Sequence, residues 1–542
     1  MRIHRAFHPL LFGLFPVLFL YSQNADQFPI RVVFKPAVFC VTGTVLAWGV
    51  CALLLGSRKK GALVTSVGVL LFFTYKPMLA LLERPFLRLA AGNLEPQHLI
   101  GTAFLLVFAA VGVAIWKVRR LPDSLSKILN MASVCLVAMP LVHIAAFHIR
   151  CGGSGRGAGG TAQVFHEAPG PAEGPDIYYI ILDGYARTDV LEEIYGYDNS
   201  AFITYLKDRG FYVAGRSRSN YGQTGPSLAS SLNMTYLDDL TADISLNSND
   251  RRHFARLISE SEVISYLRDR GYTFAALSSL YHLVDMQDAD LYLPVTSLNQ
   301  FERGMIAATP LTARDCSWDE HRELISSTFD EIPRLSRFDG PLLVFAHVVA
   351  PHPPFVFGPD GEEITPRGQY TMADGTHLVN PGGMSWNEYR SGYLGQLQHV
   401  NTMVINTIDA ILAGSGPEPV IIIQADHGPG SMLDHESLRL TCLTERFGIL
   451  NAYRLPGVSP ERLYDTISPV NSFRVVLNEY FGAGLELLDD LSYYATWQRP
   501  YEFFEVTDAI SRENVRDHIV RARSSLATAE ADTTVRTTRS LD

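Results

Sequence analysis

The sequence predicts a two-part protein: an N-terminal bundle of five transmembrane helices, then an α/β domain built on a mostly parallel central sheet. Three observations carry this. Apolar residues crowd into the first 150 of 542 positions. Beyond residue 176, short β-branched runs alternate with helical stretches. Two of those runs lead to an acidic residue followed by glycine or histidine.

The apolar segments cover roughly 8–22, 33–55, 61–82, 98–117 and 128–149. About 20 apolar residues cross a bilayer, so the last four are long enough. The first is shorter, and Arg2, His4 and Arg5 precede it in the manner of a signal peptide. It ends in Tyr21-Ser22-Gln23-Asn24 without a small-residue cleavage site, so a retained helix is expected. Arg58, Lys59 and Lys60 lie between the second and third segments, and Lys117, Arg119, Arg120 and Lys127 between the fourth and fifth. The other connections hold only Arg31, Lys35, Arg84 and Arg88. This bias predicts a cytoplasmic N-terminus. An odd number of spans then places the rest of the chain outside, giving a multi-pass protein of the cell (inner) membrane with an extracytoplasmic, periplasmic domain.

The expected organisation is a transmembrane domain over 1–150, a flexible linker over 151–175, a catalytic domain over 176–523 and a disordered tail over 524–542. The linker opens Cys151-Gly-Gly-Ser-Gly-Arg-Gly, too glycine-rich to pack. The tail is rich in Ser, Thr and Ala. The net charge of −11 lacks the basic surface that a phosphate backbone requires, which argues against nucleic acid. Of the six cysteines, Cys40, Cys51 and Cys135 lie in apolar stretches, where small buried side chains are expected. Spacing leaves open whether Cys316 and Cys442 pair.

In the second half, Asp176–Leu182, Tyr272–Leu277, Pro341–Val348 and Pro419–Gln424 read as buried strands, with a shorter one at Phe211-Tyr-Val. Helices are expected near 200–209, 264–270 and 393–412. Alternating strands and helices argue for a parallel sheet covered on both faces. Ligands of such sheets bind at the carboxyl ends of the strands. Chemistry is therefore sought in the residues that follow them.

Two strand ends are alike: Ile181-Leu-Asp183-Gly184 and Gln424-Ala-Asp426-His427-Gly428. A strand-end Asp can be a turn residue or helix cap. An adjacent carboxylate and imidazole also suit a divalent metal. Between the two lies Gln223-Thr224-Gly-Pro-Ser227, before a helix expected from about Ser227. A helix N-terminus favours an anionic phosphoryl group. A hydroxyl there can be a nucleophile activated by a metal, or simply the helix cap.

In that order, Asp183-Gly, Thr224-x-x-Ser227, His352-Pro-Pro-Phe and Asp426-His427-Gly resemble the sulfatase-like branch of the alkaline phosphatase superfamily. Within it the chain is most similar to membrane-bound lipoteichoic acid synthases and phosphoethanolamine transferases. The resemblance implies an alkaline-phosphatase-like domain with Thr224 as the nucleophile that becomes phosphorylated. It implies one divalent metal ion, zinc or manganese, held by Asp183, Thr224, Asp426 and His427. His352 would contact the transferred phosphoryl group and take part in catalysis, with Ser227 beside it on the substrate. His347 and His435 are candidates for supporting roles. Gln396 and Asn401 read as packing residues.

The expected reaction is transfer of a phospholipid headgroup phosphoryl ester to a glycan or lipid hydroxyl, with membrane lipids as partners. Alternatives are a phosphoric- or sulfuric-ester hydrolase using the same site, and a catalytically inactive binding protein. No Cys/Ser-x-Pro-x-Arg motif stands at the nucleophile position, which argues against sulfatase chemistry by that route. The cysteines that flank the nucleophile in phosphoethanolamine transferases are also missing.

Overall fold

The computed structural model describes residues 6–82, 96–151 and 174–522, apart from 280, 295–299, 313–316, 368–369, 381–382, 415–417 and 514. Nearly all of the expected linker, the whole 524–542 tail and Cys316 lie outside these residues. Cys442 is a buried free thiol. The chain divides into two units, Met1–Gly153 with Leu298–Cys316, and Ser154–Ser297 with Ser317–Asp542.

The first unit consists of α1 (His8–Gln23), α2 (Phe34–Leu54), α3 (Arg58–Leu82), α4 (Pro96–Lys117) and α5 (Asp123–Cys151). Four helical segments, those of α2 to α5, are long and apolar enough to cross a membrane. The 16-residue α1 is apolar but shorter. Large apolar side chains point outward, among them Leu53 and Leu54 on α2, Leu105 and Trp116 on α4 and Met131 on α5. A water-soluble bundle would bury such residues, whereas lipid is their natural solvent. Two polar contacts join helices at the start of α1. His8 Nδ1 meets Ser66 Oγ at 2.7 Å, and the backbone N–H of His8 donates to Asn130 Oδ1.

One further segment belongs here. The helix Gln300–Ala307 arises in the middle of the second half of the sequence but groups with the first unit. Its Phe301 and Met305, one turn apart, are buried among Val17, Tyr21 and Phe28. Its Glu302 forms an ion pair with Lys35 at the start of α2, at 2.9 Å.

The second unit holds a seven-stranded sheet: β1 (Ile177–Leu182), β2 (Tyr212–Val213), β3 (Thr273–Leu277), β4 (Leu291–Leu293), β5 (Leu342–Val348), β6 (Val420–Gln424) and β7 (Asn451–Arg454). Its order is β2-β7-β6-β1-β5-β3-β4. The run from β6 to β4 is parallel, and β7 is antiparallel to both its neighbours. Along β1, Tyr178, Ile180 and Leu182 enter one core. Ile177, Tyr179 and Ile181 enter the other. That alternation on a strand buried on both faces is what an uninterrupted apolar run produces.

Helices cover both faces. Trp386–Leu412 lies on the first, opened by a Ser385/Glu388 capping box and so starting two turns before the expected 393. Thr224–Asn233 and Pro469–Phe481 lie on the second.

Candidate active site

The sheet brings its chemistry to one line. Central β1 is flanked by β5 and β6, with Ile181 opposite both His347 and Gln424. All three strands therefore end level. Asp183 follows β1, Asp426 and His427 follow β6, and His347 is the penultimate residue of β5. This is the topological switch point, where an open α/β sheet leaves a crevice.

The Thr224 helix closes the crevice. It starts at Thr224, three residues before the expected Ser227, with extended Gln223 at its N-cap and no side-chain cap bond. Neither hydroxyl caps the helix. Thr224 Oγ1 lies 3.1 Å from His427 Nε2. Ser227, one turn on, donates its hydroxyl proton to the Asp426 carbonyl at 2.6 Å. Expected among the substrate contacts, Ser227 is instead fully buried and ties this helix to the end of β6.

His427 donates from Nδ1 to the Gly428 carbonyl at 3.0 Å, which leaves the Nε2 lone pair facing the crevice. Burial, then the nearby Arg446 charge, holds its pKa well below the ordinary value, so the ring is neutral. Its Nε2 is 3.3 Å from Asp426 Oδ2 and 3.6 Å from Asp183 Oδ1. On the far side His347 Nε2 lies 3.6 Å from Asp183 Oδ2, while its Nδ1 meets Ser279 Oγ at 2.9 Å. Burial brings the His347 pKa down to about 3.

These groups are electrostatically incomplete. Burial pushes Asp183 up to about 8, against the opposing pull of Arg446. Burial, then the charge of Asp183, pushes Asp426 up to about 7. Asp183 Oδ1, Asp426 Oδ2 and His347 Nε2 are buried without a hydrogen-bond partner. Ligand atoms of Asp183, His347 and Asp426 all lie within 4.8 Å of one another. Buried carboxylates and imidazole lone pairs converging on one point are a poor polar core. They are a good oxygen-and-nitrogen set for a divalent cation. The residues present therefore fit a metal.

A second layer fixes the rim. His352 donates from Nδ1 to the Pro353 carbonyl, and its Nε2 lies 3.9 Å from Asp374 Oδ2. Its ring centre is 6.3 Å from that of His427. Gln396 donates to the His352 carbonyl and accepts from Val356 N–H, so its packing role is to hold the His352 loop. Asn401 accepts from Tyr185 and donates to Asn199, away from the crevice. Asp374 accepts from Arg446 at 3.0 Å and from the Tyr389 hydroxyl at 2.8 Å. Arg446 also donates to the Gly222 and Gly428 carbonyls, joining the loops on both sides of the site. His435 meets the Asp374 backbone carbonyl through Nε2 at 2.9 Å and stacks on His377.

Sequence reasoning missed Asp374 and Arg446 altogether and underrated His347. For His347 a signal existed: it is a lone imidazole at the carboxyl end of a predicted strand. Asp374 sits in a loop and Arg446 in the short helix Leu443–Phe447, with nothing in their neighbours to mark them.

No protein-family model and no curated protein sequence matches the chain. Among solved structures, the C-terminal periplasmic domain of EcEptC from Escherichia coli, in complex with zinc, is similar. The identity is 11%, with 62% of this chain and 96% of that one covered and a TM-score of 0.40. The soluble domain of lipooligosaccharide phosphoethanolamine transferase A from Neisseria meningitidis is 14% identical, over 57% and 88% of the two chains, with a TM-score of 0.37. The phosphonate monoester hydrolase of Agrobacterium radiobacter is 14% identical, over 67% and 96%, with a TM-score of 0.38.

Proposed function

We propose that this chain is a membrane-anchored, metal-dependent phosphotransferase that works through a phospho-threonine at Thr224. The donor is a phospholipid headgroup ester and the acceptor a glycan or lipid hydroxyl. One observation carries the reading: the Thr224 hydroxyl, on the first residue of a helix, lies against His427 and beside two buried, partnerless carboxylate oxygens.

Asp183, Thr224, Asp426 and His427 would hold the ion, zinc or manganese, and His347 completes the set. A divalent cation supplies charge that lowers the pKa of the Thr224 hydroxyl and offsets the negative phosphoryl oxygens. Every other contribution comes from the chain. The free N–H groups of the first helical turn receive phosphoryl oxygens. With its proton released to solvent, Thr224 Oγ1 attacks phosphorus, forming the Oγ1–P bond as the P–O bond to the lipid alcohol breaks. The leaving oxygen gains a proton, for which His352 Nε2 is the nearest imidazole at the rim. In the second step the acceptor hydroxyl returns a proton to His352 as it attacks phosphorus, and Thr224 Oγ1 departs as the deprotonated oxygen. Arg446 and Asp374 keep the loops in place throughout.

An extracytoplasmic location is supported by the lysine and arginine bias of the connections. The Lys35–Glu302 pair supports it too, since it sets the connection between α1 and α2 beside a segment that arises within the second half.

Elemental analysis of the purified full chain tests the reading. About one equivalent of zinc or manganese, lost on joint Asp426→Ala and His427→Ala substitution, is expected. Absence of metal from the wild type after supplementation would remove the basis for activating Thr224. Product analysis with a lipid donor separates transfer from hydrolysis by water.

A further inference from the structure

The first unit contains a cavity of about 560 Å³ that the phosphoryl-transfer chemistry does not use. One face of α2 forms its floor through Phe39, Gly43, Ala47 and Cys51, with Lys35 at one end. Thr65, Gly68 and Phe72 of α3, Phe108 of α4, and Met305 and Ile306 of the Gln300–Ala307 helix line the rest. Spacings of four along α2 set these residues on one ridge that winds slowly around the helix. From Lys35 to Cys51 that face runs about 24 Å, at ~1.5 Å per residue. A lipid acyl chain spans half of a ~30 Å hydrocarbon core, so the groove has length to spare.

The mouth is charged where the floor is not. Lys35 sits at the first turn of α2 with its side chain more than half exposed, and the nearly buried Glu302 carboxylate fixes it there. An ammonium has three donors. Bonded to Glu302 on one side, Lys35 still offers a donor toward the membrane–water boundary. The helices that form the walls present apolar side chains outward, so the surrounding solvent is bilayer.

We propose that this cavity is a binding site for one bilayer phospholipid, an acyl chain lying along α2 and the lipid phosphate on Lys35. A chain between helices buries apolar area on both partners, and Lys35 supplies the complementary charge for the phosphate. Part of the site comes from residues 300–307, far along the sequence, so lipid binding would tie this segment to the membrane helices. The proposal concerns lipid retention, not turnover, and stands or falls apart from the role of Thr224.

Gly43 provides the test, because a Cβ built there meets nothing within 4 Å. Gly43→Trp sends a large side chain from this open position into the cavity. Gly49→Trp, on the same helix but off the cavity and equally unobstructed, is the control. The full chain is extracted from phosphatidylethanolamine-containing membranes into detergent, and bound lipid is counted by native mass spectrometry. Wild type, Gly49→Trp and Thr224→Ala should each retain one phospholipid. Gly43→Trp should lose it at least tenfold, with unchanged monodispersity and thermal midpoint. Lys35→Gln should weaken retention of phospholipid while leaving that of an uncharged diacylglycerol unchanged. Equal retention by folded Gly43→Trp and wild type, or no lipid above the detergent background in any sample, would overturn the proposal.

Discussion

Thr224 Oγ1 and His427 Nε2 lie 3.1 Å apart although 203 residues separate them. One strand end and one helix start make the contact. β6 delivers His427 with its Nδ1 proton committed to the Gly428 carbonyl, and the helix delivers Thr224 at its first position. The Ser227 hydroxyl on the Asp426 carbonyl locks one element to the other. The pair is thus positioned by backbone, and the chemistry proposed for it depends on few side-chain degrees of freedom.

Substitution at the nucleophile should be nearly absolute. Thr224→Ala is expected to lower turnover by about 10³-fold or more, since the group that forms the covalent bond is gone. Thr224→Ser keeps the hydroxyl and should retain measurable turnover. Steady-state assays with a lipid donor check both. Equal activity of Thr224→Ala and wild type would rule the nucleophile out.

His347 should be felt in metal affinity more than in fold. Its Nε2 is buried, partnerless and aimed at Asp183, and Ser279 fixes the ring. His347→Ala should weaken zinc or manganese binding by about 10- to 100-fold, as read by competition with a chelator. Loss of Ser279 should have a smaller effect in the same direction.

The metal-free protein should lose stability as pH rises. Asp183 and Asp426 reach about 8 and about 7 in the fold, both above the ordinary carboxylate value. Each group's contribution is therefore fully present below about pH 4 and is lost as pH climbs through its folded value. Between pH 5 and 8 the thermal midpoint of the chelated protein should fall relative to Asp183→Asn. Added metal should reverse the trend, because it binds the deprotonated carboxylates and its affinity rises with pH. A chelated wild type whose midpoint rises across that range would contradict the electrostatics described here.

Arg446 carries a structural load. Its guanidinium and the Asp374 carboxylate are both about 5% exposed, and it bonds two carbonyls besides. Arg446→Ala leaves a buried charge unpaired and should destabilise the domain by about 3–5 kcal/mol, measured by denaturant unfolding. The double variant with Asp374→Asn should recover part of that loss.

Much of this was legible in sequence, for reasons specific to particular residues. β1, β5 and β6 are largely apolar runs that carry His347 within β5 or are followed within three residues by Asp183 or Asp426-His427, so strand and site residue are read together. Thr224 stands before Gly-Pro, which marks a helix start. β7 was not legible, because Asn451-Ala-Tyr-Arg454 is short and polar at both ends, and only pairing with β6 makes it a strand. Asp374 and Arg446 meet across 72 positions, a relation that no local pattern encodes. The Gln300–Ala307 helix is only eight residues long, with Phe301, Met305 and Ile306 set among polar neighbours, too short a pattern to mark it as part of the first unit, yet it packs there.

The central claim is covalent, and so is its most direct test. The full chain with its metal is incubated with a phospholipid donor, quenched in acid and digested, and the Thr224 peptide is weighed by mass spectrometry. A phosphoryl-headgroup adduct on Thr224, absent from Thr224→Ala and discharged by an acceptor alcohol, is the result predicted. Turnover of the donor with no adduct on Thr224 at any time point, and undiminished in Thr224→Ala, would contradict it.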